Sequence, residues 1–178
     1  IYMYIIYMPV WKKIATFDSS TYFTENIVNS NIVTTDKGDK LFVGLDDNDN
    51  SVLLQSNDLS NTSHISWTKS LSFKGSIGWK NSIAIDKSGS NIYIAPFYGV
   101  WYNNKSGDSK SWYKSLEFSD TYHVATSSNG KSVYIVCAKS TDIGLYSSKN
   151  SGKKGSWTKS GLPSIAINTI AMSDKGDN

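Results

Sequence analysis

A short phrase that begins with tryptophan recurs along the chain, and its spacing restricts the possible folds more than any other feature. The phrase starts at Trp11, Trp67, Trp112 and Trp157, and 45 residues separate Trp67 from Trp112 and Trp112 from Trp157. The first interval is 56 residues, which predicts a longer loop in the opening unit. A second phrase, a turn rich in Gly, Asp, Ser and Lys, recurs about midway between the tryptophans. Two phrases in fixed order at a fixed period indicate an internal structural repeat.

Each unit of this repeat has the pattern of four short strands. In the middle unit the strands are predicted over residues 82–86, 91–97, 100–105 and 112–116, with a turn at 87–90 between the first two. β-Branched and aromatic residues fill the strands, and Gly, Asn, Asp and Ser fill the turns. No window of useful length has the 3.6-residue period of an amphipathic helix. The sequence therefore predicts an all-β protein.

The second strand of each unit indicates how the sheets are stacked. These strands are nearly continuous apolar runs, at residues 41–43, 92–95 and 133–136. A strand with one face in water would alternate between apolar and polar residues, so the runs predict burial on both faces. A β-sandwich would not repeat its sequence at this interval, whereas one four-stranded blade of a β-propeller needs about 45 residues. The predicted fold is a β-propeller, of which this chain supplies about three and a half blades.

The repeat also predicts the organisation of the chain. Residues 1–7 lack the basic segment and the cleavage site of a signal peptide. Their Ile, Tyr and Met monotony is typical of translated AT-rich non-coding DNA, and they are interpreted as a non-native upstream segment, with a genuine hydrophobic strand as the alternative. Residues 8–178 are predicted to form an incomplete propeller, which makes the remaining blades of a longer chain its expected partners. The predicted parts are an outer strand at 11–17, blades at 26–71, 78–116 and 121–161, and the first strand of a further blade at 165–178. No cellular compartment is predicted.

The residues before each tryptophan carry a resemblance to a known family. The segment from Ser148 to Trp157 resembles a degenerate Asp-box, the Ser-x-Asp-x-Gly-x-Thr-Trp turn of BNR-repeat propellers such as sialidases and the photosystem II assembly factor. Asn replaces Asp in this copy, and two residues are inserted before the tryptophan. The resemblance implies a structural turn between the third and fourth strands, in which a polar side chain caps backbone N–H groups and the tryptophan packs between blades. The residues assigned to this structural role are Trp11, Trp67, Gly107, Trp112, Asn150, Gly152 and Trp157.

The composition excludes several functions. All 18 basic residues are lysine, so the chain lacks the arginine cluster with which a sialidase clamps its substrate carboxylate. The net charge of +3 is small and the lysines are scattered, so no nucleic-acid partner is expected. No stretch reaches the roughly 18 apolar residues of a membrane helix. His64 and His123 have no second ligand at metal spacing and are interpreted as surface or loop residues, and neither a metal nor a cofactor is predicted.

Aromatic residues in loops are the remaining candidates for function. Loops that join consecutive blades lie at the same end of a propeller as the turns between second and third strands. Ligand-binding residues are predicted there, because rigid aromatic side chains are common in glycan-binding and protein-binding surfaces. The candidates are Trp79, Tyr98, Trp101, Tyr122 and His123. The predicted function is a non-enzymatic scaffold that binds a protein or a glycan. The alternative is a propeller domain of a glycoside hydrolase whose catalytic acids lie partly outside this chain; loop acids such as Glu117 and Asp120 are available, but no pair is assigned.

Overall fold

The computed structural model describes residues 29–46, 50–57, 65–74, 82–96, 98–118, 120–138, 143–161, 167 and 169–175, and within these ranges the regular elements are all strands. The first sheet consists of β1 (Asn29–Thr34), β2 (Leu41–Asp46), β3 (Asn50–Ser56) and β4 (Thr68–Lys74). The second consists of β5 (Ile83–Ile85), β6 (Ile92–Ile94), β7 (Val100–Asn103) and β8 (Trp112–Leu116). The third consists of β9 (Thr121–Thr126), β10 (Val133–Cys137), β11 (Gly144–Ser148) and β12 (Trp157–Lys159). The all-β prediction and the four strands of the middle unit are confirmed.

Each sheet is an antiparallel meander in which the strands follow chain order. The first strands of successive sheets are neighbours, because β1 contacts β5 and β5 contacts β9. The turns between first and second strands have a common form: Gly38, Gly89 and Gly130 have φ angles of 65°, 69° and 68°. Such left-handed φ angles favour glycine, which explains why this residue recurs in the second phrase.

The interface between the first and second sheets is one apolar cluster. Phe42 and Leu53 of the first sheet contact Ile83, Ile92 and Ile94 of the second, and all five are buried. Half-buried aromatic side chains complete this cluster, namely Phe73, Trp101 and Trp112. Side chains from both faces of β2 and β6 are buried, so the prediction from the continuous apolar runs is confirmed for these two strands.

The interface between the second and third sheets has more tyrosine. Tyr93 and Tyr102 stack with their ring centroids 4.9 Å apart, and the edge of Tyr113 meets Tyr102 at 5.0 Å. These rings pack against one face of the third sheet. On that face β10 and β11 contribute the buried Val133, Ile135, Cys137 and Tyr146. Burial raises the pKa of Tyr93 far above its usual range and raises the pKa of Tyr113 to about 12.

The turns between the third and fourth strands of the second and third sheets (residues 103–112 and 148–157) are here called the box turns, and they have similar backbone angles. Ser106 and Gly107 have φ angles of 51° and 83°, and Ser151 and Gly152 have 51° and 62°. Two consecutive residues in the left-handed region point backbone N–H groups in one direction, towards an acceptor. The Ser-Gly pair is therefore the common backbone core of both turns.

The acceptor is the first residue of each box turn. Asn103 Oδ1 accepts the N–H groups of Lys105 at 2.8 Å and of Gly107 at 3.0 Å. Ser148 Oγ accepts the N–H groups of Asn150 at 3.2 Å and of Gly152 at 3.1 Å. The resemblance led us to expect the capping side chain at the Asp position of the motif, which is Asn150 here. Asn150 is instead exposed and joins the turn through its backbone, because a short acceptor at the first position already lies beneath both N–H groups.

A serine on β4 and a serine on β8 join their sheets to the next box turn. Trp112 Nε1 donates to Ser70 Oγ at 3.1 Å, and Ser70 Oγ donates to the carbonyl of Gly107. One sheet later, Trp157 Nε1 donates to Ser115 Oγ at 2.9 Å, and Ser115 Oγ donates to the carbonyl of Gly152. We call this arrangement the Ser–Trp–Gly contact.

The same backbone irregularity presents both serines. Lys69 pairs with Leu54 while Leu71 pairs with Leu53, which leaves Ser70 as the extra residue of a β-bulge. Lys114 and Leu116 likewise pair with consecutive residues of β7 and leave Ser115 between them. A bulge re-aims the side chain of its extra residue. Here it accounts for a serine hydroxyl that reaches the following sheet.

Candidate functional site

The strands of each sheet end in two different kinds of turn. The box end carries the box turns and the turns between first and second strands, which are hydrogen-bonded to each other from Ser106 N–H to Ser90 O and from Ser151 N–H to Lys131 O. The opposite end, here called the Tyr98 end, carries the turns between second and third strands and the connections between sheets. The predicted ligand-binding residues were assigned to the Tyr98 end.

Tyr98 is the most exposed of the predicted binding aromatics that the structure describes. It is 58% exposed, in the turn between β6 and β7. Gly99 follows it with φ 98°, where a Cβ would be 2.9 Å from Cε of Lys114. Gly99 is thus packed against β8, next to the exposed tyrosine ring.

The connection from β8 to β9 lies directly against this turn. Thr121 Oγ1 donates to the carbonyls of Pro96 and Gly99, the latter at 2.7 Å. Asp120, just before it, has φ 61°, an unusual conformation for a residue with a side chain, and its carbonyl accepts the N–H of Ala138 at 2.9 Å. The structure therefore holds Asp120 in a strained conformation beside the Tyr98 turn.

Tyr122 adds a second phenol to the same end. It is half-buried, and burial followed by the charge of Asp120 raises the pKa of its hydroxyl. The Asp120 carboxylate is thus close enough to influence this phenol. Tyr98, Asp120 and Tyr122 together offer an exposed ring, a hydrogen-bond acceptor and a neutral hydroxyl.

Trp101 and His123 are less exposed than Tyr98. Trp101 is half-buried in the cluster between the first two sheets, where its ring stacks on Phe73 at a centroid distance of 6.4 Å. His123 lies within β9 and is 8% exposed. The interpretation of His123 as a surface or loop residue is therefore wrong, because it is in register with Val136 in a paired strand. The sequence could not reveal that His123 is buried, because Tyr122 is the extra residue of a β-bulge and shifts the register of β9 at that point. Trp79 and Trp11 lie outside the described residues.

The box end has a polar cleft of about 410 Å³ where turns of all three sheets meet. The ion pair between Lys87 of the second sheet and Asp36 of the first sheet joins two of these turns, with Nζ 2.9 Å from Oδ2. The Asp36 carboxylate raises the pKa of the Lys87 ammonium. The remaining lining comes from the same turns and consists of Lys37, Asp39, Asp86, Ser88, Ser128 and Asn129. The described residues that line the cleft all have polar or charged side chains, which favours a hydrophilic ligand. All of these residues belong to the second phrase of the repeat, whose pattern predicts a turn and no cleft.

In the part of the chain that the structure describes, no group of three or more His, Cys, Asp or Glu side chains is placed to hold a metal ion. No helix among the described residues has the length and apolar composition needed to cross a membrane.

The arrangement of the sheets is shared with solved propeller-type structures. TolB from Acinetobacter baumannii superposes with a TM-score of 0.60 at 14% identity, over 85% of this chain and 36% of TolB. A GH74 enzyme from Niastella koreensis superposes with a TM-score of 0.60 at 13% identity, over 82% of this chain and 24% of the enzyme. The fold is of the β-propeller type. A chain in a nidogen–laminin complex also matches, with a TM-score of 0.55 at 9% identity, over 79% of this chain and 51% of that one.

The likeness is one of fold alone, since every identity is far below the level at which activity is shared. This chain spans between about a quarter and a half of the length of these three structures. Its sequence matches no protein-family model and no curated protein. The more specific resemblance to Asp-box repeats therefore stays a prediction.

Proposed function

We propose that this protein is a non-enzymatic binding propeller that recognises a glycan through its Tyr98 end. The observation that carries the proposal is the exposure of Tyr98 on a turn anchored to the neighbouring connection. A protruding ring with 58% exposure can stack on a sugar face, and ordering it costs little conformational entropy because Thr121 already holds the carbonyls of Pro96 and Gly99.

The surroundings of Tyr98 support a small polar ligand. The large apolar side chains that are exposed among the described residues are Tyr98 and Ile32. Stable protein–protein interfaces bury about 800 Å² on each partner around several anchors. An exposed ring, with the Asp120 carboxylate and the Tyr122 hydroxyl at the same end of the sheets, matches the mixture of stacking and hydrogen bonding that a sugar requires. A protein ligand, as in the nidogen–laminin complex, is the outcome that would redirect the proposal.

The test is a glycan-array screen of the purified chain, followed by titration calorimetry with the best oligosaccharide. Tyr98→Ala should reduce affinity at least about tenfold, since stacking and desolvation of one ring account for 1.4 kcal/mol or more. Ile32→Ala is the matched control, because Ile32 is also large, apolar and exposed but lies within β1. Equal binding by the parent and the Tyr98→Ala variant would contradict the proposal.

A second candidate is a carbohydrate-active enzyme domain. It is favoured by the position of two acids, Glu117 and Asp120, on the connection that borders the Tyr98 turn. Glycosidases use two carboxyl groups about 5–9.5 Å apart. If this function is correct, Glu117→Gln and Asp120→Asn will each abolish hydrolysis of an oligosaccharide that Tyr98→Ala merely binds less tightly.

A further inference from the structure

Each sheet presents three equivalent positions to the sheet that follows it. The first is the second residue of the second strand. The next lies on the third strand, two residues before the residue that pairs with the first. The last is a serine on the fourth strand or directly after it. In the first sheet these residues are Phe42, Leu53 and Ser70, and in the second they are Tyr93, Val100 and Ser115. We call each set of three a docking triplet.

Both of these triplets are covered by the next box turn. A Cβ at Gly107 would lie 3.0 Å from Cε1 of Phe42, and a Cβ at Gly152 would lie 3.1 Å from Cε1 of Tyr93. Glycine is therefore needed where the turn crosses the aromatic ring, and the tryptophan of the same turn reaches the serine. As a result, the members of both triplets are at most 2% exposed.

The third sheet carries the same triplet in a less covered state. Its members are Tyr134, Leu145 and Ser160, and all three are half-buried. Ser160 directly follows β12, and its N–H donates to the carbonyl of Leu145 at 2.8 Å, which places it where Ser70 and Ser115 occupy bulges. A cavity of about 100 Å³ remains between Tyr134, Leu145 and the segment Ile170–Met172.

That segment is placed like the beginning of a further sheet. The N–H of Lys87 donates to Ser128 O at 2.8 Å and so joins the first turns of the second and third sheets. The N–H of Ser128 in turn donates to Asp174 O at 3.0 Å. Residues 169–175 thus continue the series in which each first strand and its turn lie beside those of the preceding sheet.

From these contacts we propose that the outer face of the third sheet is a docking surface for another repeat of the same kind, one that continues from residues 169–175. Its box-turn glycine covers Tyr134. Its tryptophan N–H and its glycine carbonyl meet the hydroxyl of Ser160, in a third Ser–Trp–Gly contact. The proposal concerns assembly and does not depend on glycan binding at the Tyr98 end.

The experiment supplies such a repeat to the full chain. Residues 173–178 align with residues 127–132, so a copy of residues 133–161 appended after Asn178 continues the pattern in register. Hydrogen exchange is then measured for the backbone amides of β10 to β12, including Ser160. The extension should slow their exchange at least about tenfold, because opening of the third sheet then requires undocking of the added repeat.

Variants identify the contact. Ser160→Ala and alanine in place of the appended copy of Trp157 should each remove most of the protection, and the two together should remove no more than either alone. Thr158→Ala, at an exposed position of β12, is the matched control and should leave the protection intact. The proposal is overturned if the extension fails to slow exchange, or slows it equally in the Ser160→Ala chain. Protection of the same amides in the unextended chain that grows with protein concentration would instead assign the surface to a second copy and would also overturn it.

Discussion

The two interfaces between sheets share their polar contacts and differ in their apolar filling. Each has a serine at a bulge, a tryptophan N–H and a glycine carbonyl in the same arrangement. The first interface is filled by aliphatic side chains, phenylalanine and tryptophan, whereas the second contains the stacked Tyr93 and Tyr102. The repeat therefore requires the Ser–Trp–Gly contact and a close-fitting glycine, while the apolar residues around them can change as long as the space is filled.

The Tyr98 end does not follow the repeat in this way. Tyr98 is exposed, and it corresponds to none of the residues that join one sheet to the next. Among the described residues, the recurring serine, tryptophan and glycine of the Ser–Trp–Gly contact are used for packing. This packing role is the reason that the tryptophans of the repeat, despite their prominence in the sequence, are poor candidates for a binding site.

The largest expected effect tests whether the tryptophan of the box turn is structural in both interfaces. Trp112→Ala and Trp157→Ala should each lower the free energy of unfolding by roughly 3–5 kcal/mol, because each empties a large aromatic site and leaves a serine hydroxyl without its donor. Denaturant unfolding followed by circular dichroism measures the change. A large loss of unfolding free energy in only one of the two variants would show that the tryptophan is structural at one interface and not at the other.

The second largest loss of stability is expected for the glycine of the Ser-Gly pair in the box turn. Gly107 and Gly155 have nearly equal φ angles, 83° and 81°. An added Cβ at Gly155 meets nothing within 4 Å, whereas at Gly107 it meets Gln55 Oε1 and the ring of Phe42. Gly155→Ala should therefore cost only the roughly 1–2 kcal/mol of a left-handed residue, and Gly107→Ala a further 1–3 kcal/mol of overpacking. Equal losses in thermal unfolding would mean that the box turn does not fit closely against the first sheet.

The serine hydroxyl can be tested by a smaller change. Ser115→Ala removes one oxygen and leaves Trp157 N–H and Gly152 O without their partner, which should cost roughly 1–3 kcal/mol. Ser72→Ala is the control, since Ser72 is exposed on β4 and should change stability by less than about 0.5 kcal/mol. A Ser115→Ala chain as stable as the Ser72→Ala chain would show that the contact contributes geometry and no measurable stability.

Sequence reasoning reached the sheets but not the contacts between them. The period of the tryptophan phrase and the apolar runs were sufficient for the strands, because periodicity and burial of both faces are local properties of a sequence. Ser70 and Ser115 each stand three residues after a repeated tryptophan, yet their role depends on a bulge and on a partner about 40 residues away. The capping role of Asn103 and Ser148 was missed for a related reason. The family pattern emphasises the Asp position, whereas the geometry of two left-handed residues decides which acceptor lies beneath the N–H groups.

The smallest expected effect separates the two interfaces by pH. Burial, and secondarily the charge of Tyr102, raises the pKa of Tyr113 to about 12, whereas an unfolded tyrosine titrates near 10. Between these values the unfolded chain has released the proton and the folded chain retains it. Stability contributed by the neutral phenol is therefore complete below about pH 10 and is lost as the pH rises towards 12. Tyr113→Phe should flatten the decline of the unfolding free energy over this range, by under about 1 kcal/mol because the side chain is partly solvated. Chemical denaturation at several pH values measures the slope, and an unchanged slope in the variant would indicate that Tyr113 does not make the second interface sensitive to alkali.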